Sequence, residues 1–295
     1  MIKYVAPVLT ALRSEQEVDV ESCLRLYGHL IKNEIDGIAV FGTSGEFPHL
    51  PVSEKKKLIK AAAPVIKGHA EFIVGTGSMN VDDTVEMSRF AFENGADTVI
   101  VVGPYYYGLS DDSIFEYFSK VASHLKGNIY LYNFPDRTSY SINAQTVLRL
   151  VRKYPNIVGI KDTITNMSNT VDIIKLVKPE FPEFQVFHAY DNCFAYTVLA
   201  GGNGAVGILP NIAPKLFSNW AKAAREKDFD TLSAIQKKVD IMMDILWFHS
   251  PFLATVKAVL VQQGIFAEDT MTFPFLKFPE EKKAELSNFM KQFEA

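Results

Sequence analysis

The sequence contains few cysteines and no clustered histidines. Its two cysteines, Cys23 and Cys193, form no CxxC pair in a chain of 295 residues. A small domain held together by disulfides and a Cys/His zinc site are therefore excluded, and both thiols are expected to be buried and inert. The six histidines are scattered and never adopt the spacing of metal ligands, so we expect no metal.

The sequence also lacks an excess of one charge and any long hydrophobic run. Thirty basic and thirty-four acidic residues give a net charge of −4 without a basic stripe, so neither nucleic acid nor a membrane surface is an expected partner. The longest apolar runs, such as Thr98–Val102, are far too short to cross a bilayer. The first residues form a strand-like pattern without a secretory signal. We expect a cytoplasmic protein that acts on small molecules.

No GxGxxG motif follows the first predicted strand, which argues against a doubly wound dinucleotide-binding sheet. Instead, short apolar strands alternate with longer amphipathic helices. The predicted strands are Tyr4–Leu9, Gly37–Phe41, Glu71–Gly75, Asp97–Val102, Asn128–Asn133, Ile157–Lys161, Phe184–Ala189 and Gly204–Ile208. Eight such units predict an α/β fold, a (β/α)8 TIM barrel spanning residues 1–226. Residues 227–295 have a purely helical pattern, which predicts a C-terminal helical extension packed on the barrel.

Lys161 ends the sixth predicted strand, in which Ile157, Val158 and Ile160 are apolar. A buried ammonium group is costly. Lys161 therefore reaches solvent, pairs with a carboxylate such as Asp162, or acts as a neutral amine. The local sequence leaves these three explanations open, although structural ion pairs are commoner than catalytic lysines.

Unusual residues follow the carboxyl ends of several strands, where active sites of TIM barrels lie. Gly42–Glu46 reads GTSGE, a turn with two hydroxyls that suits a carboxylate better than a triphosphate. The other segments are Pro104–Tyr107 (PYYY), Tyr132–Pro135 (YNFP) and Gly204–Gly207. Each alone is explained by turns, packing or tight bends. Their collection around one rim with Lys161 predicts an active site.

These groups suit Schiff-base chemistry on a keto acid. An amine attacks a carbonyl only when it is neutral, and burial favours the neutral form. A tyrosine beside Lys161 can carry protons, while the hydroxyl-bearing turn can hold a carboxylate. The imine forms on the protein's own lysine, so no cofactor is expected.

The motifs GTSGE, PYYY, YNFP and GIKDT, in this order and spacing, resemble the dihydrodipicolinate synthase and N-acetylneuraminate lyase family of pyruvate-dependent class I aldolases. The resemblance extends from Val5 to the last helices and implies a (β/α)8 barrel. It implies that Lys161 is the Schiff-base lysine and that Tyr132 transfers protons. It also implies that Val206 and Gly207 line the pyruvate pocket.

The resemblance implies roles for the other candidate residues as well. The turn containing Gly42, Thr43 and Ser44 would hold the pyruvate carboxylate. Thr43, Tyr132 and Tyr106 would form a proton relay, with Tyr106 reaching in from a neighbouring subunit. The chain would then be a homo-oligomer, usually a homotetramer built from two tight dimers.

The second substrate is less strongly indicated. GIKDT and PYYY look most like the 2-keto-3-deoxygluconate aldolases, which cleave sugar-derived keto acids to pyruvate and an aldehyde. Arg137, however, stands where the synthase binds its aldehyde's carboxylate, although a surface salt bridge with Asp136 or Glu46 would also explain it. Tyr140 falls in a stretch that is normally small in the synthase, and Thr84 replaces an acidic residue of its lysine-inhibitor site.

We therefore expect a 2-keto-3-deoxy sugar acid aldolase. The main alternative is dihydrodipicolinate synthase acting on pyruvate and aspartate semialdehyde. Further alternatives are an N-acetylneuraminate lyase-like enzyme and a catalytically silent homologue that senses keto acids. The joint presence of Lys161, Tyr132 and Tyr106 argues against the silent homologue.

Overall fold

Eight parallel strands close into a barrel in the computed structural model, which describes residues 1–293. The strands are β1 Lys3–Pro7, β2 Gly37–Val40, β3 Glu71–Gly75, β4 Thr98–Val102, β5 Asn128–Asn133, β6 Ile157–Asp162, β7 Gln185–His188 and β8 Gly204–Val206. Each pairs with the next strand along the chain, and β8 pairs with β1. Most strand residues are buried, because helices cover a parallel sheet. The predicted TIM barrel is confirmed.

Helices connect successive strands and continue beyond β8. The α-helices are α1 Val20–Lys32, α2 Val52–Ile66, α3 Val81–Glu93, α4 Asp111–Ser123, α5 Pro135–Thr138, α6 Ala144–Lys153, α7 Ser168–Val177, α8 Phe194–Leu199, α9 Pro214–Glu226, α10 Phe229–Met242, α11 Phe252–Gln262 and α12 Lys283–Lys291. Asp19, Ser110 and Asn143 each accept a hydrogen bond from a backbone N–H in the first turn of their helix. Such caps satisfy N–H groups that have no partner within the helix.

The chain forms two compact units. Unit 1 comprises Met1–Tyr4 and Phe72–Gly207, and unit 2 comprises Val5–Glu71 and Ile208–Ala295. The core of unit 1 contains aromatic pairs such as Tyr130 and Phe187, whose ring centroids are 5.6 Å apart. Unit 2 buries one side of α9 and almost the whole of α11. The predicted domain boundary at residue 226 stays a prediction.

The structure differs from the sequence analysis in two respects. A two-stranded hairpin, Leu12–Ser14 with Glu17–Val18, lies between β1 and α1. The predicted burial of both cysteines is correct for Cys23 but wrong for Cys193, which is partly exposed.

Within residues 1–293, no single helix is long and apolar enough to cross a membrane. The segments Phe229–Trp247 and Phe252–Gln262 reach that length and composition only together, and they are bent by 109°.

Candidate active site

Lys161 and Tyr132 lie side by side in unit 1. They are register partners in the neighbouring parallel strands β6 and β5, so both side chains leave the sheet on the same face. The Lys161 Nζ atom lies 4.3 Å from the centroid of the Tyr132 ring. Both residues are buried, with 6% and 4% exposure. The structure thus brings together the predicted amine and the predicted proton carrier.

Asp162, the next residue of β6, does not neutralise Lys161. Its carboxylate accepts hydrogen bonds from Asn133 Nδ2 and Thr170 Oγ1, both at 2.7 Å, and longer ones from Asn169. Burial raises the pKa of Asp162, although these donors favour its charged form. Within the described part of the chain Lys161 forms no salt bridge, and its low exposure also disfavours a side chain that reaches solvent. The first two explanations are therefore disfavoured, and the third, a reactive amine, stays a prediction.

The YNFP segment leads from β5 into the short helix α5 that carries Arg137. Arg137 is exposed, and its guanidinium carbon lies 5.7 Å from the centroid of the Phe134 ring. Among residues 1–293 it forms no ion pair, so the alternative of a surface salt bridge is not supported. Burial raises the pKa of Tyr190, the negative charge of Asp136 raises it further, and the positive charge of Arg137 lowers it.

The PYYY segment presents Tyr106 outward. Tyr106 is 79% exposed, packs edge-on against Tyr107 and has a φ angle of 104°. Tyr140 fixes the start of this segment, because its hydroxyl donates a hydrogen bond of 2.8 Å to the Pro104 carbonyl. A Cβ atom at Gly103 would lie 2.2 Å from the Tyr140 hydroxyl. The large side chain of Tyr140, in a stretch that is normally small in the synthase, therefore fits because residue 103 is glycine.

Thr84 has a structural role at the start of α3. It is fully buried, and its hydroxyl accepts a hydrogen bond from the Ser78 N–H at 3.0 Å. The same hydroxyl lies 3.0 Å from the Tyr117 hydroxyl. Burial raises the pKa of Tyr117 to about 12, so this tyrosine is protonated at neutral pH. A neutral hydroxyl network occupies this position.

The GTSGE segment forms a tight turn in unit 2. Gly42, Thr43 and Ser44 follow the end of β2, with Thr43–Gly45 in a 3-10 turn. The turn is anchored where Thr10 Oγ1 donates a hydrogen bond of 2.9 Å to the Gly45 carbonyl. The three predicted carboxylate-binding residues are therefore consecutive in one fixed turn.

Val206 and Gly207 lie at the carboxyl end of β8 in unit 1. Val206 is buried. A Cβ atom at Gly207 would lie 2.2 Å from Asp191 Oδ1 and 2.8 Å from the Tyr4 hydroxyl. The Tyr4 hydroxyl donates a hydrogen bond of 2.7 Å to that carboxylate oxygen, so only glycine fits beside this buried pair.

The structure also shows two polar groups at strand ends that the sequence analysis missed. The buried Thr163 Oγ1 has no hydrogen-bond partner among residues 1–293. Thr163 could have been recognised in the sequence as a polar residue directly after β6. The His188 side chain ends β7 and accepts a hydrogen bond from the Tyr190 N–H, and burial lowers its pKa to about 4. Nothing in the sequence distinguished His188 from the other scattered histidines.

Comparison with known proteins agrees with this fold. The model of the dihydrodipicolinate synthetase family matches residues 2–293. A probable 2-dehydro-3-deoxy-D-pentonate aldolase of Escherichia coli, YjhH, is 31% identical over 95% of this chain and 93% of its own. The 4-hydroxy-tetrahydrodipicolinate synthase of Methanocaldococcus jannaschii is also 31% identical, over 99% and 98% of the two chains. The structure of YagE from E. coli in complex with pyruvate superimposes with a TM-score of 0.95 at 30% identity, covering 99% and 98%.

The family match and these relatives identify a class I aldolase, a carbon–carbon lyase, on a TIM barrel. The chain belongs to the dihydrodipicolinate synthetase family and is a pyruvate-dependent enzyme. Members of this family form a Schiff base between pyruvate and a lysine and use no metal cofactor. The predicted family and class of reaction are confirmed.

Proposed function

We propose that this enzyme is a 2-keto-3-deoxy sugar acid aldolase in which Lys161 forms the imine with the keto acid. The observation that carries the proposal is the position of Lys161 Nζ, buried, without an ion pair and 4.3 Å from the centre of the Tyr132 ring. The similarity to YjhH and to YagE, which is described as a putative 2-dehydro-3-deoxy-D-gluconate aldolase, supports the sugar-acid substrate.

In the cleavage direction, the Lys161 amine attacks the C2 carbonyl of the keto acid, and the carbinolamine loses water to give the imine. Loss of the C4 hydroxyl proton then breaks the C3–C4 bond and releases the aldehyde. The remaining enamine is protonated at C3, and hydrolysis of the imine releases pyruvate. Tyr132, held beside the amine, is the proposed proton carrier for these steps.

The substrate carboxylate is assigned to the turn of Gly42, Thr43 and Ser44. Hydroxyl and backbone N–H donors in a tight turn suit a carboxylate. Val206 and Gly207 are assigned to the pyruvate part of the substrate, since they add little bulk at the end of β8.

Tyr106 is assigned to the active site of a neighbouring subunit in a homotetramer. This assignment is supported by the exposure of Tyr106 and Tyr107, since aromatic residues are enriched at protein interfaces. A cytoplasmic location is also proposed, because Cys23 and Cys193 form no disulfide.

Product identification tests the sugar-acid assignment. Pyruvate is incubated with a panel of neutral hydroxyaldehydes and with aspartate semialdehyde, and the products are identified by mass spectrometry. The proposal predicts 2-keto-3-deoxy acids from glyceraldehyde or glycolaldehyde. Condensation with aspartate semialdehyde alone would overturn it.

Dihydrodipicolinate synthase is the second candidate, and Arg137 is the observation that favours it. Its exposed guanidinium has no carboxylate partner among residues 1–293, so it is available to bind a carboxylate of the aldehyde substrate. The similarity to the M. jannaschii synthase supports the same candidate.

A further inference from the structure

A buried ion pair holds the end of the GTSGE turn. The Lys257 ammonium, in α11, contacts Glu46 Oε1, and neither side chain has any exposure to solvent. Burial lowers the pKa of Lys257, and the Glu46 carboxylate opposes that shift. Both residues belong to unit 2, as does the whole turn.

Further hydrogen bonds extend this pair to the segment before α12. Lys257 Nζ donates a hydrogen bond of 2.7 Å to the Thr270 carbonyl. Glu46 Oε2 accepts one from the Thr272 N–H at 2.8 Å and one from Thr272 Oγ1 at 2.7 Å. Thr272, in the segment before α12, thus holds the Glu46 carboxylate with two hydrogen bonds to the same oxygen.

The backbone of the turn needs such support. Phe41, which precedes the turn, and Glu46, which ends it, have φ angles of 58° and 55°, a left-handed conformation that non-glycine residues rarely adopt. Such conformations persist where the surrounding structure enforces them, and they cluster at functional sites. For Glu46, the contacts of its carboxylate with Lys257 and Thr272 provide that enforcement.

A buried ion pair is weak evidence for stability, because well-packed apolar residues of similar volume often replace it without loss. It can instead select one conformation. Here the selected conformation is that of the turn carrying Gly42, Thr43 and Ser44.

We propose that Glu46, Lys257 and Thr272 are positioning residues for the substrate carboxylate. They touch no substrate, and they act by holding the hydroxyl and N–H donors of Gly42–Ser44 in one preformed arrangement. The inference rests on the proposed function, because it takes that turn as the carboxylate-binding element.

The test compares imine trapping by two ketones that differ only in the carboxylate. Borohydride trapping is measured against the concentration of pyruvate and of methyl pyruvate, whose ester has no negative charge. Thr272→Val removes the hydroxyl that binds Glu46 but keeps the backbone N–H. We expect the half-saturating concentration of pyruvate to rise roughly fivefold or more, and that of methyl pyruvate to change less than about twofold. Thr272→Ser restores the hydroxyl and should restore the selectivity.

A second variant, Glu46→Gln with Lys257→Met, removes both charges together and leaves no unpaired charge buried. It should show the same selective loss for pyruvate. Glu34→Gln with Lys215→Met is the matched control, because it removes an exposed pair of the same unit with an N–O distance of 2.9 Å. Circular dichroism and thermal unfolding establish that each variant is folded.

Equal losses for pyruvate and methyl pyruvate in folded variants would show a purely structural role and overturn the inference. Unchanged trapping of both ketones would overturn it as well. If the wild-type enzyme forms no imine with either ketone, the proposed function itself fails, which is a distinct outcome.

Discussion

Lys161 and Tyr132 come together because they occupy matched positions in neighbouring strands. Lys161 could be selected from the sequence because a lysine that ends a buried strand needs an explanation. The separation of Asp162 from Lys161 could not be foreseen. It depends on Asn133, Asn169 and Thr170, which only the folded barrel brings around that carboxylate.

Replacing Tyr132 with Phe removes one hydroxyl and leaves the ring. The fold should be retained, since the ring fills the same buried space. If Tyr132 carries protons, turnover should fall about 10²-fold or more. Steady-state kinetics with the identified substrate checks this, and unchanged turnover would make Tyr132 a packing residue.

Arg137 separates the two substrate assignments. If the aldehyde substrate carries a carboxylate, Arg137→Ala removes a charge-assisted contact worth about 1.5–3 kcal/mol. The value of kcat/KM for aspartate semialdehyde would then fall at least ~10-fold, with pyruvate imine formation spared.

For a neutral hydroxyaldehyde the same variant should change turnover by less than about threefold. We expect this second result. Robust wild-type activity with aspartate semialdehyde that disappears in Arg137→Ala would show that the synthase assignment is correct.

His188 should make the folded state sensitive to acid. Its pKa is about 4 when folded, below the ordinary 6.5, so the unfolded chain binds more protons between these two values. Stability is therefore lost as the pH falls from 6.5 to 4, by up to about 3 kcal/mol from this residue.

The variant His188→Asn tests this dependence, because its amide oxygen can accept the hydrogen bond from the Tyr190 N–H and does not titrate. Urea unfolding at pH 6.5 and pH 4.5 should show a smaller loss of unfolding free energy in the variant. An equal loss in both proteins would rule out His188 as the source.

At the scale of elements, hydrophobic patterning predicted the eight barrel strands closely. Glu71–Gly75 and Asn128–Asn133 are observed with the predicted bounds. The short helix Pro135–Thr138 was not predicted because a single turn has no periodicity to detect. The ion pair between Glu46 and Lys257 could not be predicted from the sequence either, since the two residues are far apart along the chain.

The packing of α1 predicts a difference between the two thiols. Cys23 is fully buried in α1, and burial raises its pKa to about 12, whereas Cys193 is partly exposed. A thiol reagent such as DTNB should therefore titrate one cysteine per native chain and two in denaturant. Rapid reaction of two thiols in the native enzyme would contradict the packing of α1.

At the scale of the whole molecule, the alternation of strands and helices predicted a parallel sheet covered by helices, because each unit buries its strand beneath its own helix. The count of eight units and the absence of a GxGxxG motif then favoured a closed barrel over an open sheet. The assembly could not be derived in the same way. The exposed Tyr106 and Tyr107 lie in a loop, and a loop carries no pattern that identifies its partner.

Subunit mixing tests the proposed role of Tyr106 in a neighbouring active site. Tyr106→Phe and Lys161→Met should each be nearly inactive, and co-expressed they should regain activity. A mixed dimer contains one site with an intact Lys161 and an intact Tyr106 from its partner. Failure to regain activity, or a monomeric mass of 33.0 kDa by light scattering, would contradict the assignment.

The central claim is that Lys161 carries the substrate as an imine, and reductive trapping tests it most directly. The enzyme is treated with borohydride in the presence of pyruvate, digested and analysed by mass spectrometry, with Lys161→Met as the control. The structure predicts one reduced pyruvyl group on the peptide that contains Lys161 and none in the variant. No adduct, or an adduct on another lysine, would contradict the mechanism.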